Sequence, residues 1–137
     1  MIINRHESYD AKEVKRILKP NGIFITQQVG CKNNESLSKK IIKDLEPEFK
    51  DNDLNNRLKE LNENDFEIIF KEEYFPYLRF FDVGAIVYFA KIIEWEFPNF
   101  TVDSCFNELC DLQKELNQKS YIESLEHRFI LLCKNIK

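Results

Sequence analysis

Pro20 sets the first firm boundary in this chain. A prolyl ring disfavours helical geometry in the residue before it, and the following Asn21-Gly22 supplies a turn. The segment before it carries Ala11, Val14, Ile17 and Leu18 on one helical face, so a helix is expected to run up to Leu18-Lys19 and stop there. Asp10-Ala11-Lys12-Glu13 opens that helix as the acidic variant of a capping box, with Asp10 as N-cap and Glu13 at the third helical position. After the turn, Ile23 to Val29 begins with an unbroken run of β-branched and aromatic residues, the pattern of an interior strand covered on both faces. A capped helix that reverses directly into such a strand is the grammar of an α/β domain.

The rest of the chain continues in that grammar. A polar loop, residues 30–34, leads to a helix carrying Leu37, Ile41 and Leu45, closed by Pro47. A short helix then places Leu54, Leu58 and Leu61 on one side, and Phe66 to Phe70 reads as a strand that can extend to Phe75. Asp82 can cap a helix from Val83 to about Ile93, apolar almost all round and therefore buried or groove-lining. A loop dense in aromatics follows, residues 94–101, then a helix from about Asp103 to Leu116 with Phe106, Leu109, Cys110 and Leu116 on one face. Arg128 to Cys133 is the last expected strand. No repeat or low-complexity linker interrupts the 137 residues, which suit a single domain.

Composition narrows the classes of function. The net charge of −4 and pI near 5.3 argue against a general nucleic-acid binder, which needs a basic surface to release counterions. The four cysteines, Cys31, Cys105, Cys110 and Cys133, form no C-x-x-C pair, and only His6 and His127 are available to join them, so neither a zinc site nor a disulfide framework is indicated. The opening residues do not read as a signal peptide, and the most apolar run, Val83 to Ile93, falls short of the ~20 residues that span a bilayer. A cytoplasmic protein with no membrane partner is the expectation.

Leu18-Lys19-Pro20-Asn21-Gly22-Ile23-Phe24-Ile25 resembles the turn between the fourth helix and fifth strand of class I S-adenosylmethionine-dependent methyltransferases. Ile2 to Ser8 looks like the end of that fold's fourth strand and the loop after it. Asp82 to Tyr88, Trp95 to Pro98 and Glu126 to Phe129 look like a bacterial subfamily of small-molecule methyltransferases. The resemblance spans essentially the whole chain. It implies the C-terminal portion of a Rossmann-like sheet, strands four onward, with the final strand antiparallel. It also implies what is missing. The family's glycine-rich cofactor loop, its acidic ribose partner and its adenine-recognising segment have no counterpart here, since Gly22, Gly30 and Gly84 form no G-x-G arrangement. S-adenosylmethionine is thus the implied cofactor of the intact enzyme, and the chain alone is expected not to bind it. No cofactor-binding or metal-binding residue is assigned.

Asn4-Arg5-His6-Glu7 is the densest polar cluster at an expected strand end, where open α/β sheets gather their ligands. In the intact family this loop would face the transferred methyl group. His6 could accept a proton from a substrate hydroxyl or amine and Glu7 could orient it, with Asn4 and Arg5 contacting substrate. Because methyl transfer succeeds largely through positioning, a base is not required, and the cluster can equally be a solvated, fraying terminus. Gln27 and Gln28 end the next strand and could hydrogen-bond substrate in the same crevice, or mark simple strand-end polarity. Tyr88, Trp95 and Phe97 could wall an apolar substrate or serve as ordinary core. His127 beside Arg128 reads as a structural or surface pair.

Two functions stay open on the sequence. One is membership in an enzyme moving a methyl from S-adenosylmethionine to a small molecule, present here as a C-terminal half that needs its N-terminal half for activity. The other is a non-catalytic module acting through self-association or partner binding. Whether the chain is itself an enzyme is not decided. A homodimer is expected, formed at the uncharged Ile23–Val29 strand, which the family topology would leave with an open edge beside the Met1–Ile3 stub.

Overall fold

The computed structural model describes residues 1–136. Along the chain run β1 (Ile2–Arg5), α1 (Ala11–Ile17), β2 (Ile23–Val29), α2 (Glu35–Ile41), α3 (Leu54–Glu63) and β3 (Phe66–Tyr74). They are followed by β4 (Tyr77–Phe80), α4 (Val83–Ile92), α5 (Phe106–Lys119), β5 (Ile122–Leu125) and β6 (Arg128–Asn135). The class is mixed α/β, as the sequence predicts. Two units share this chain. Unit 1 takes Met1–Cys31, Phe49–Phe75 and the residues from His127 onward, and unit 2 takes Lys32–Glu48 and Pro76–Glu126.

In unit 1, Asp10 caps α1 by accepting the N–H of Lys12 at 2.8 Å and of Glu13 at 3.0 Å on one carboxylate oxygen. The reciprocal half of the capping box is absent. Glu13 turns instead to Arg16, which donates Nε at 2.8 Å and Nη2 at 2.6 Å, a bidentate charged pair in place of a bond to the cap amide. Leu18 closes the helix, and β2 begins at Ile23 as expected.

The sheet of unit 1 has the order β1-β2-β6-β3. β1 runs parallel to β2, and β6 runs antiparallel to both β2 and β3, so β1, β2 and β3 all point the same way. The final strand is therefore antiparallel and sits inside the sheet. Phe24 on β2 pairs with Cys133 on β6 and Ile2 on β1, and Phe24, Phe129, Leu131 and Cys133 pack with Phe66, Leu61 and the apolar side of α1 into one core. Burying these side chains is the dominant gain for the unit, at ~1.5–3 kcal/mol for each large apolar side chain.

This order corrects the expected open edge. β2 has β1 on one side and β6 on the other, so its backbone is paired along both flanks, and Thr26 is fully buried. The edge strands of this sheet are β1 and β3.

Unit 2 is built on a core of Leu37, Ile41, Ile86, Ala90, Phe97, Leu109, Leu112, Leu116 and Ile122. α2 is shorter than the sequence spacing predicts. Ile42 N–H bonds back to Ser38 O, and Asp44 adopts φ 54°, which turns the chain away before Leu45 and Pro47. Asp82 caps α4 through the Ala85 N–H at 2.7 Å, as expected. The expectation that α4 is buried or groove-lining holds for one face only: Ile86 and Ala90 are buried, whereas Tyr88 and Ile92 are exposed. Phe106 is also exposed, because it opens α5 one turn ahead of the buried stripe at Leu109, Leu112 and Leu116. β4 and β5, which pair antiparallel, were not anticipated from the sequence.

Candidate functional site

Because β1, β2 and β3 share a direction, their carboxyl ends meet along one margin of the sheet in unit 1. The margin collects residues 4–7 at the end of β1, residues 27–30 at the end of β2, residues 73–75 at the end of β3, and His127 with Arg128 at the start of β6.

Asn4 and Gln28, both proposed substrate contacts, turn toward each other. The Asn4 Oδ1 accepts from Thr26 Oγ1 at 2.8 Å and from Gln28 Nε2 at 2.8 Å. Gln28 is buried, and its Nε2 also donates to the Glu7 carbonyl at 3.0 Å. The His6 N–H donates to the Gln27 carbonyl at 2.8 Å, with His6 in the left-handed region at φ 54°. The loop is therefore fastened to β2 by side-chain and main-chain bonds rather than left to fray. Its outward side chains, Arg5, His6 and Glu7, are exposed. Glu7 Oε1 accepts the N–H of Ser8 at 2.9 Å and its hydroxyl at 3.3 Å.

Gln27 Nε2 donates to the Tyr74 hydroxyl at 3.2 Å, which links the ends of β2 and β3 across β6. Next to that pair lies His127, buried at 1 % exposure, with its Nε2 2.7 Å from Glu73 Oε1 and its ring stacked on Phe75 at 4.6 Å and 18°. The enclosure fits the structural reading of His127 and not a surface one. Nothing local in sequence signals this pair, because Glu73 and His127 meet only when β3 and β6 are aligned.

Tyr88 and Trp95 belong to unit 2, and both are exposed, while Phe97 is core. A separate cleft of about 400 Å³ in unit 2 is lined by Ile41, Lys43, Asp44, Pro98, Cys105 and Glu108. Glu108 there is held below the usual carboxylate range, first by its own backbone N–H and then by Lys43 at 3.2 Å, which makes it a salt-bridged surface acid rather than a proton donor. In the core of unit 1, burial pushes the Cys133 thiol up to about 12 and raises the Tyr9 hydroxyl above its ordinary value, so both stay protonated near neutrality.

The margin of unit 1 can offer an imidazole, a carboxylate and an amide to a small polar molecule. No group of three or more His, Cys, Asp or Glu suited to a metal ion occurs among the described residues. A nucleotide-type cofactor needs backbone that a ligand can approach closely, and neither Gly22 nor Gly30 provides it. A Cβ on Gly30 would fall 2.0 Å from His127 Nδ1 and one on Gly22 would fall 2.7 Å from Leu18 Cγ, whereas one on Gly84, exposed in the first turn of α4, would meet only Asp82 Oδ1 at 3.0 Å. The space beside Gly30 is filled by the chain's own imidazole. Beside Gly22 and Gly30, then, the chain leaves no bare backbone for S-adenosylmethionine to lie against. No helix of the described residues is long and apolar enough to cross a membrane.

No family model matches this sequence, and no curated protein matches it. Among solved structures, a candidate methyltransferase from Bacillus halodurans matches with 13% identity and a TM-score of 0.48, over 93% of this chain and 57% of the other. A candidate sarcosine dimethylglycine methyltransferase from Galdieria sulphuraria matches with 14% identity and a TM-score of 0.41, over 98% of this chain and 52% of the other. The cyclase SpnF matches with 18% identity and a TM-score of 0.38, over 90% of this chain and 42% of the other. The chain thus spans about half the length of these solved proteins. Likeness at this level assigns no activity to it.

Proposed function

We propose that this chain is the substrate-side portion of an S-adenosylmethionine-dependent methyltransferase acting on a small molecule, and that the cofactor is held by a half of the domain lying outside these residues. The observation that carries the reading is the gathering of the Asn4–Glu7 loop and the β2 terminus at the carboxyl margin of strands that share a direction, the place where open α/β sheets bind ligands. The antiparallel strand inserted last into that sheet is what the Leu18–Ile25 resemblance implies, and supports the same reading.

On this reading His6 and Glu7 are the groups nearest the reaction. His6 takes or holds a proton on the substrate, Glu7 orients it, and Arg5 and Gln27 bind its polar atoms, while Asn4 and Gln28 position the loop. Four free thiols, two of them partly exposed, are in keeping with a cytoplasmic location.

The test is transfer of labelled methyl from S-adenosylmethionine by the protein with any preceding coding sequence included, comparing wild type with His6→Ala and Glu7→Gln. Loss of transfer in the variants with an unchanged melting curve supports the assignment. Absence of both cofactor binding and transfer from the longer protein would overturn it. The second reading, a non-catalytic self-associating module, draws on a different observation: the uncovered aromatic face of the β4–β5 ribbon.

A further inference from the structure

β4 and β5 form a two-stranded antiparallel ribbon with unlike faces. Alternation turns Phe80, Ile122 and Ser124 inward, where all are buried. The other face carries three cross-strand rows. Tyr77 stands opposite Leu125, Arg79 opposite Glu123, and just beyond the strands Phe81 meets Tyr121 edge-on at 6.5 Å. Three of the four side chains in the outer rows are exposed, Tyr77 at 64%, Phe81 at 70% and Leu125 at 46%, and Tyr121 is half-buried.

The middle row is an ion pair, Arg79 Nε to Glu123 Oε2 at 2.9 Å. The Arg79 guanidinium also lies 4.6 Å over the Tyr77 ring and 4.3 Å over the Tyr121 ring. One cation thereby orders two aromatic rings and a carboxylate, so the face is organised before anything binds to it, which lowers the entropy lost on association.

We propose that this face is the surface through which two copies of the chain pair. It is complementary to itself in one orientation. A two-fold axis parallel to the strands and midway between them lays β4 of one copy over β5 of the other, as in face-to-face sheet packing. Arg79 then meets Glu123 of the second copy, Tyr77 meets its Leu125, and Phe81 meets its Tyr121. An axis across the strands would instead stack Arg79 on Arg79 and Glu123 on Glu123, which like-charge repulsion rejects. A partner of uniform charge, such as a nucleic acid or an anionic lipid surface, would leave Arg79 or Glu123 opposed by its own sign. The two copies share one another's charges in a closed ring of four.

Six side chains a side is well under the ~20–30 residues of a standard interface, so the pairing is concentration-dependent rather than permanent. It does not depend on the methyltransferase reading, and its test involves no methyl transfer. Sedimentation velocity and light scattering on the purified chain, across a micromolar concentration series, should show a monomer moving toward a dimer. Arg79→Glu and Glu123→Arg should each weaken pairing by at least ~tenfold, since each makes all four charges alike. An equimolar mixture of the two variants should recover a dimer. Mixing cannot repair the ion pair within either chain, so recovery reports contact between copies. Leu125→Ser, which leaves the ion pair intact, should also shift the equilibrium toward monomer, with thermal melts confirming that each variant is folded. A wild-type monomer at the highest concentration, a dimer untouched by both charge reversals, or a mixture that stays monomeric would overturn the proposal.

Discussion

The imidazole of His127 lies directly against the bare Cα of Gly30, and the two residues are also joined by a main-chain bond from the Gly30 N–H to the His127 carbonyl at 2.9 Å. A side chain on Gly30 has nowhere to go. An ideal Cβ would sit 2.0 Å from Nδ1 and 2.1 Å from Cε1 of a ring already held by Glu73 and Phe75. Gly30→Ala should therefore destabilise unit 1 by about 2–3 kcal/mol, the scale of overpacking in a dense interior. On a His127→Ala background the same change should cost less than ~1 kcal/mol, a coupling that a double-mutant cycle in urea would measure.

Gln28→Leu removes the donor that serves both Asn4 and the Glu7 carbonyl. A loss of about 1 kcal/mol is expected, typical of a hydrogen bond whose partner is left behind. His6→Asn and Glu7→Gln should each shift stability by less than ~0.5 kcal/mol, because their side chains are exposed and both replacements tolerate the local geometry. Urea midpoints for the three variants would rank them. Thr26→Lys, by contrast, would place a charge at a fully buried position and should prevent folding rather than probe an edge.

How far the sequence disclosed this arrangement depends on the range of each signal. Asp10, Pro20 and Asp82 act within a few residues of themselves, and the ends they were expected to set at α1, β2 and α4 are where the chain places them. β4 and β5 are four residues each and pair across more than forty intervening positions, so neither offers enough periodicity to stand out from a loop. The same distance hid His127, whose carboxylate partner comes from β3. Asn4 and Gln28 were legible as polar strand ends. That they would bond to each other follows from the parallel register of β1 with β2, which no local pattern encodes.

The cysteines divide by burial. Cys31 and Cys110 are partly exposed and should react with a thiol reagent in the native protein, whereas Cys105 and Cys133 should react only on unfolding. Mass spectrometry after brief native labelling would show two adducts. The raised Cys133 thiol also has a signed consequence for stability. Below its ordinary value of 9.0 the folded and unfolded chains both keep the proton; above it the unfolded chain releases the proton first. Stability should fall as pH rises from there toward about 12, and Cys133→Ala should flatten that slope in alkaline denaturant titrations.

Asp10→Ala and Asp82→Ala each delete a side-chain cap and should cost about 1 kcal/mol. Glu13→Gln should leave the melt close to that of the wild type, since Glu13 serves an exposed pair with Arg16 and not the cap. Thermal melts of the three variants would separate a true capping box from the half-box described above. Equal losses at Asp10 and Glu13 would mean that Glu13 reaches the cap in solution.

The position of β6 inside its sheet governs when that sheet can exist. During synthesis β1, β2 and β3 leave the ribosome long before Arg128–Asn135, yet the backbone ladders of β2 and β3 are joined only through that strand. Until it arrives, one flank of β2 and both flanks of β3 are open templates, and Phe24 and Phe66 lack the strand whose Phe129, Leu131 and Cys133 complete their core. Unit 2, whose last residue is Glu126, has all of its own segments available earlier. The nascent protein is thus expected to assemble its second unit first and to depend on holdase chaperones until Arg128–Asn135 has emerged, and a stop codon shortly before Arg128 would remove the centre of the sheet rather than trim its edge.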